Sequence, residues 1–142
     1  MTWRSRLLSL LVAFALSAVA SLVALPATSA SAVDTTADCE VAYHVAAQWT
    51  GGFYSLVTLT NVSDTTSTGW EVTLDFPDGQ TVQPPWDPIR IPPQPGEPLN
   101  PVRIRNAAWN GAIQPDGSLT FGLLGTYRLA NRSPAVTCVL FL

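Results

Sequence analysis

The stretch Gly69-Trp70-Glu71-Val72-Thr73-Leu74-Asp75-Phe76 alternates apolar and polar residues without a break. Trp70, Val72, Leu74 and Phe76 point one way. Glu71, Thr73 and Asp75 point the other. A period of two is that of a β-strand with one face in a core and one in water. The neighbouring runs repeat the pattern. Glu40–Trp49 places Val41, Tyr43 and Val45 on one face. Phe53–Asn61 places Phe53, Val57 and Leu59 on one face and Thr58 and Thr60 on the other. Val102–Arg105 is a short strand with arginines on its wet side, and Leu119–Leu124 and Ala135–Val139 complete the set. Turn formers separate them: Thr50-Gly51-Gly52, Ser63–Gly69, Pro77-Asp78-Gly79, Asn110-Gly111 and Pro115-Asp116-Gly117. Twelve prolines and nine glycines leave few gaps for a long helix. The fold class is all-β, and the expected architecture is a sandwich.

Pro84–Pro101 is different, holding eight of the twelve prolines. Proline lacks an amide donor, so this segment is not a central strand. It reads as a stiff surface loop, or as a broken edge strand around Ile89–Ile91.

Before the strands comes a leader. Arg4 and Arg6 precede an almost wholly apolar run, Leu7–Leu25, and then Pro26 and the small residues Ala27–Ala32. Basic, apolar and Ala-x-Ala is the layout of a secretory signal peptide over residues 1–32, cleaved after Ala32. An uncleaved membrane anchor is the other reading. Residues 33–38 are then a short lead, and 39–142 a single domain. Beyond the leader, ten acids face five arginines and no lysine. Nucleic acid and anionic lipid are poor partners for such a chain. An extracellular monomer with an uncharged partner, and no membrane contact after cleavage, is expected. Cys39 and Cys138 permit one disulfide in an exported chain, with two free thiols as the alternative. Such a bridge would bring the chain ends together and stabilise the domain by roughly 4–5 kcal/mol in the chain-entropy model.

Four tryptophans follow the leader. Trp70 belongs to the apolar face of its strand and reads as core. The others adjoin turn formers: Trp49 before Thr50-Gly51-Gly52, Trp86 within Pro84-Pro85-Trp86-Asp87-Pro88, and Trp109 before Asn110-Gly111. Exposed indoles are flat apolar plates. A pyranose ring has flat C–H faces, with its hydroxyls around the edge. Stacking the two removes apolar area from water without stranding a hydroxyl. If three indoles each lose on the order of 100 Å², the gross gain is roughly 7–8 kcal/mol. Association offsets at least about 4 kcal/mol of it. The alternative places all four tryptophans in the core. Trp49 is in register with Val41, Tyr43 and Val45, so only a bulge or strand end at Ala46–Gln48 would turn it outward.

Several chemistries lack their residues. A glycosidase needs two carboxylates across a cleft, and the acids here are scattered. His44 is the single histidine, which leaves zinc, a serine-hydrolase triad and a two-histidine copper site without support. No catalytic residue, metal or cofactor is expected.

From Cys39 to Cys138 the chain resembles the family 2 carbohydrate-binding modules of secreted bacterial cellulases and xylanases. The matching pieces include Cys39-Glu40-Val41-Ala42-Tyr43, Gln48-Trp49-Thr50-Gly51-Gly52-Phe53, Val57-Thr58-Leu59-Thr60-Asn61 and Gly69-Trp70-Glu71-Val72. Phe76-Pro77-Asp78-Gly79-Gln80, Arg105–Gly111 and Phe121-Gly122 continue the series. The resemblance implies an immunoglobulin-like or jelly-roll sandwich of about nine antiparallel strands, its ends joined by a disulfide. It implies surface tryptophans at Trp49, Trp86 and Trp109 and a buried one at Trp70. Where the family often has a glutamine before the second surface tryptophan, Pro84-Pro85 intervene and Gln83 is the nearest amide; Gln83 and Asn110 are candidates for polar support. Gly52, three residues after the first surface tryptophan, and the third ring at Trp86 both favour the subtype for crystalline cellulose. Chitin offers a similar flat face. Tyr54 and Leu56 are unusually apolar for an outer face. They read either as packing under the proline-rich loop or as a second contact patch. A protein–protein or cell-surface adhesion domain with exposed aromatic anchors is the competing function.

Overall fold

The computed structural model describes residues 32–35, 38–83 and 88–142. These form nine strands: β1 (Ala32–Thr35), β2 (Cys39–Trp49), β3 (Gly52–Asn61), β4 (Gly69–Asp75), β5 (Thr81–Val82), β6 (Ile89–Ile91), β7 (Val102–Arg105), β8 (Ser118–Thr126) and β9 (Ala135–Phe141). They build two antiparallel sheets, one ordered β1-β2-β3-β8-β5 and the other β6-β7-β4-β9. Among the described residues the domain beginning at Cys39 thus has eight strands where about nine were expected. The ninth, β1, comes from the lead and pairs with β2. In the described part of the proline-rich segment only β6 forms, and it sits at a sheet edge, where a missing donor is tolerated.

The strand that decides the fold behaves as its alternation requires. Trp70, Val72 and Leu74 of β4 are buried between the sheets, as is Phe76 just beyond them. Val41, Tyr43, Phe53, Val57, Leu59, Phe121 and Leu123 face them from the larger sheet. The indole of Trp70 stacks on Phe121, with centroids 5.6 Å apart and planes 13° apart. Phe76 meets Tyr43 edge-on at 6.2 Å. Burial pushes the Tyr43 phenol above its ordinary pKa. The disulfide Cys39–Cys138 ties β2 to β9 and so joins the two sheets.

Connections fix which side chains reach each end. β2 turns into β3 at Thr50-Gly51, where Gly51 has φ of 77°, a backbone region that suits glycine. The peptide Asn100–Pro101 is cis. The Asn100 amide donates to Asp75 Oδ1 and the Phe76 carbonyl, and its oxygen accepts from the Phe76 N–H.

Candidate functional site

At one end of the sandwich, β2 carries Trp49 to the rim. The register of β2 on β3 slips between Val45 and Ala47. Ala46 is the extra residue, and it reverses the sense of alternation after Val45. Unbroken alternation would turn Trp49 inward. The bulge turns it out, leaving it 50% exposed. The indole then lies over Gly52, its cross-strand partner. A β-carbon on Gly52 would collide with Nε1, Cε2 and Cζ2 of the ring. The ring occupies the space that a side chain at position 52 would take, and the residue stays half exposed.

The hairpin bearing this ring is clamped. The Tyr127 hydroxyl donates to the Trp49 carbonyl at 3.0 Å, and the Tyr127 N–H to the Gly51 carbonyl at 3.2 Å. Gln48 Nε2 donates to the Tyr127 hydroxyl at 3.2 Å, and Gln48 Oε1 accepts from Asn131 at 2.9 Å. Asn131 Oδ1 and the Arg132 carbonyl accept from Gln80 Nε2. Arg132 in turn pairs with Asp78, its Nε lying 2.9 Å from Oδ1. That guanidinium holds the Asp78 carboxyl below the ordinary carboxylate range.

Trp109 belongs to the opposite end, on the loop after β7, and is 71% exposed. Its loop is held from inside by Trp70. Trp70 Nε1 donates to the Asn110 carbonyl at 2.8 Å, and the Trp70 N–H donates to Asn106 Oδ1 at 2.9 Å. Asn110 Oδ1 accepts from the Ala107 N–H at 2.7 Å, and Ser67 Oγ donates to the Gly111 carbonyl at 2.8 Å. Asn110, a candidate for polar support, is 8% exposed, and its side-chain oxygen accepts within its own loop. Gln83 is exposed beside β8, its N–H donating to the Leu124 carbonyl. Trp86 lies outside the described residues, as does nearly all of the leader.

β3 runs between the two ends. Gly52 lies under Trp49, and Asn61, at the far end, donates to the Ile113 carbonyl just beyond the Trp109 loop. Nine steps of antiparallel strand span roughly 30 Å. Among the described residues no group of three or more His, Cys, Asp and Glu is placed to hold a metal ion. No helix there is long and apolar enough to cross a membrane.

A family model described as a cellulose binding domain matches residues 39–140. The chain belongs to that family. This cellulose binding domain is 33% identical over 100 residues to endoglucanase A of Thermobispora bispora, a match covering 70% of the chain but 21% of the enzyme. It is 31% identical over 121 residues to the cellulose/chitin binding protein Rv1987 of Mycobacterium tuberculosis, covering 85% of the chain and 81% of that protein. Among solved structures, the cellulose-binding family 2 carbohydrate binding domain from ScLPMO10C superposes with a TM-score of 0.55 at 29% identity, covering 75% of the chain and 99% of that domain. The family is one of carbohydrate-binding modules, not of catalysts. The clamp residues of this cellulose binding domain, Tyr127, Asn131 and Gln80, carried no signal in the sequence beyond the Phe76–Gln80 motif. Each is an ordinary polar residue until the fold brings it under the Trp49 hairpin.

Proposed function

We propose that this domain is an exported, non-catalytic module that adsorbs to the flat face of crystalline cellulose or chitin through Trp49, Trp86 and Trp109. The observation that carries the reading is the half-exposed Trp49 indole seated where a side chain at Gly52 would be. Arginine at position 52 would pack against the ring and tilt it, whereas glycine lets it lie flat. Trp109, on a loop stapled from within, is a second rigid plate. Rigid plates lose little rotamer entropy on binding. Membership of the family and the similarity to a cellulose/chitin binding protein support a polysaccharide partner.

Adsorption of the purified domain to microcrystalline cellulose, crystalline chitin and insoluble xylan tests the proposal. Retention on the two crystalline glycans, with little on xylan, is expected. Absence from all three, with unchanged thermal unfolding, would remove the reading in favour of a protein partner. Export is tested by the secreted product, whose N-terminal residue should be Val33.

A further inference from the structure

Trp49 is not alone in resting on a glycine. Tyr54 lies two residues beyond Gly52 on β3, hence on the same outer face of the five-stranded sheet. Its ring crosses to β8 and covers Gly122, where a β-carbon would collide with the hydroxyl, Cε2 and Cζ. Tyr54 is 39% exposed. Leu124, its cross-strand partner on β8, is 45% exposed. Leu56 follows on the same face, paired with Gly122 itself. The ring thus covers a glycine and the residue stays partly exposed, as with Trp49.

Its position is as telling as its seat. Strand rise and spacing put the Tyr54 ring roughly 10–15 Å from the Trp49 ring, along the line toward the end of β3 that meets the Trp109 loop. Beyond Leu56 the face changes character. Thr58 bonds to Thr120 at 2.9 Å and Thr60 to Ser118 at 2.8 Å, a ladder of paired hydroxyls leading to that end. A glycan chain laid along β3 from Trp49 would meet an aromatic plate, an apolar step and then hydroxyls. No ion pair among the described residues lies on this face to oppose an uncharged ligand. The two bridges, Arg103–Glu71 and Arg132–Asp78, lie on the other sheet and at the rim.

We infer that Tyr54 is a further polysaccharide-contacting plate, stacking on the same glycan strand as Trp49, with Leu124 and Leu56 as its apolar margin. The inference rests on the proposed function and extends it to a residue outside the tryptophan set. The glycan need not be distorted to reach it, because Gly122 lets the ring lie low on the sheet.

The test compares Tyr54→Phe, Tyr54→Leu and Tyr54→Ala with Trp49→Ala in depletion isotherms on microcrystalline cellulose, each checked for cooperative unfolding. Tyr54→Phe should bind within about two-fold of the parent, and Tyr54→Leu and Tyr54→Ala about ten-fold more weakly. Leucine keeps an apolar cover on Gly122 without a flat ring, so it separates stacking from packing. On the unaltered protein, tetranitromethane should nitrate Tyr54 in solution and spare it on cellulose. Parent-like binding by the Leu and Ala variants, or nitration unchanged by cellulose, while Trp49→Ala is weakened, would overturn the inference and leave the proposed function standing. Parent-like binding by Trp49→Ala as well would remove both.

Discussion

A single side chain decides whether an indole can lie flat. At position 52 there is none, and the ring of Trp49 fills the space where one would be. Gly52→Arg should lift that ring and weaken retention on crystalline cellulose by about ten-fold, or roughly 1.4 kcal/mol. Depletion isotherms beside a thermal melt check this. Trp70 shows the converse case of an indole used for structure. It is fully buried, stacked on Phe121, and donates to the Asn110 carbonyl. Trp70→Ala should cost about 3–5 kcal/mol of stability, as large core truncations do. Trp70→Phe keeps most of the apolar volume but leaves that carbonyl without its partner, and should cost about 1–3 kcal/mol. Urea unfolding measures both. The sorting of Trp70 from Trp109 was legible locally, since one sits in clean alternation and the other beside turn formers, whereas Trp49 shares a register with Val41, Tyr43 and Val45 and needed the bulge. The burial of Asn110 was not. Asn110-Gly111 reads as a turn, and only the fold shows its backbone carbonyl held by the Trp70 indole and its side-chain oxygen by the Ala107 N–H.

Among elements, legibility followed length and regularity. β4 and β3 could be read residue by residue. β5, two residues long, has no period to detect. The bulge in β2 was legible only as a condition: Trp49 could face water if Ala46–Gln48 broke the register, and Ala46 does so. The clamp beneath the Trp49 hairpin was not legible. Gln48 and Asn131 are 83 residues apart, and no local pattern links them. Its outer link is Asp78–Arg132. Because Arg132 lowers the Asp78 pKa in the folded state, the pair stabilises the fold above the ordinary carboxylate value. That contribution is lost as pH falls through the depressed folded value. Asp78→Asn should therefore lower the midpoint of thermal unfolding at neutral pH and make little difference well below pH ~3. A melt series across pH checks the convergence. The effect should be small, because the Arg132 side chain is largely exposed.

At the scale of the molecule, two sheets are held by one core and one covalent bond. Cys39–Cys138 closes a loop of 99 residues, and reducing it should remove roughly 4–5 kcal/mol in the chain-entropy model. Urea unfolding with and without dithiothreitol measures the difference. The sandwich sets the scale of the proposed site. β3 sets a distance of roughly 30 Å between the Trp49 end and the Trp109 end, long enough for several sugar rings and too long for a pocket ligand. The central claim is that these exposed indoles, and not the charge or general apolarity of the domain, hold the polysaccharide. The most direct measurement is the depletion isotherm of Trp49→Ala/Trp109→Ala on microcrystalline cellulose, run beside the parent with far-ultraviolet circular dichroism and melting of each. A loss of at least about a hundred-fold in affinity, with spectrum and melting unchanged, is predicted. Parent-like adsorption by the folded double variant would contradict the account.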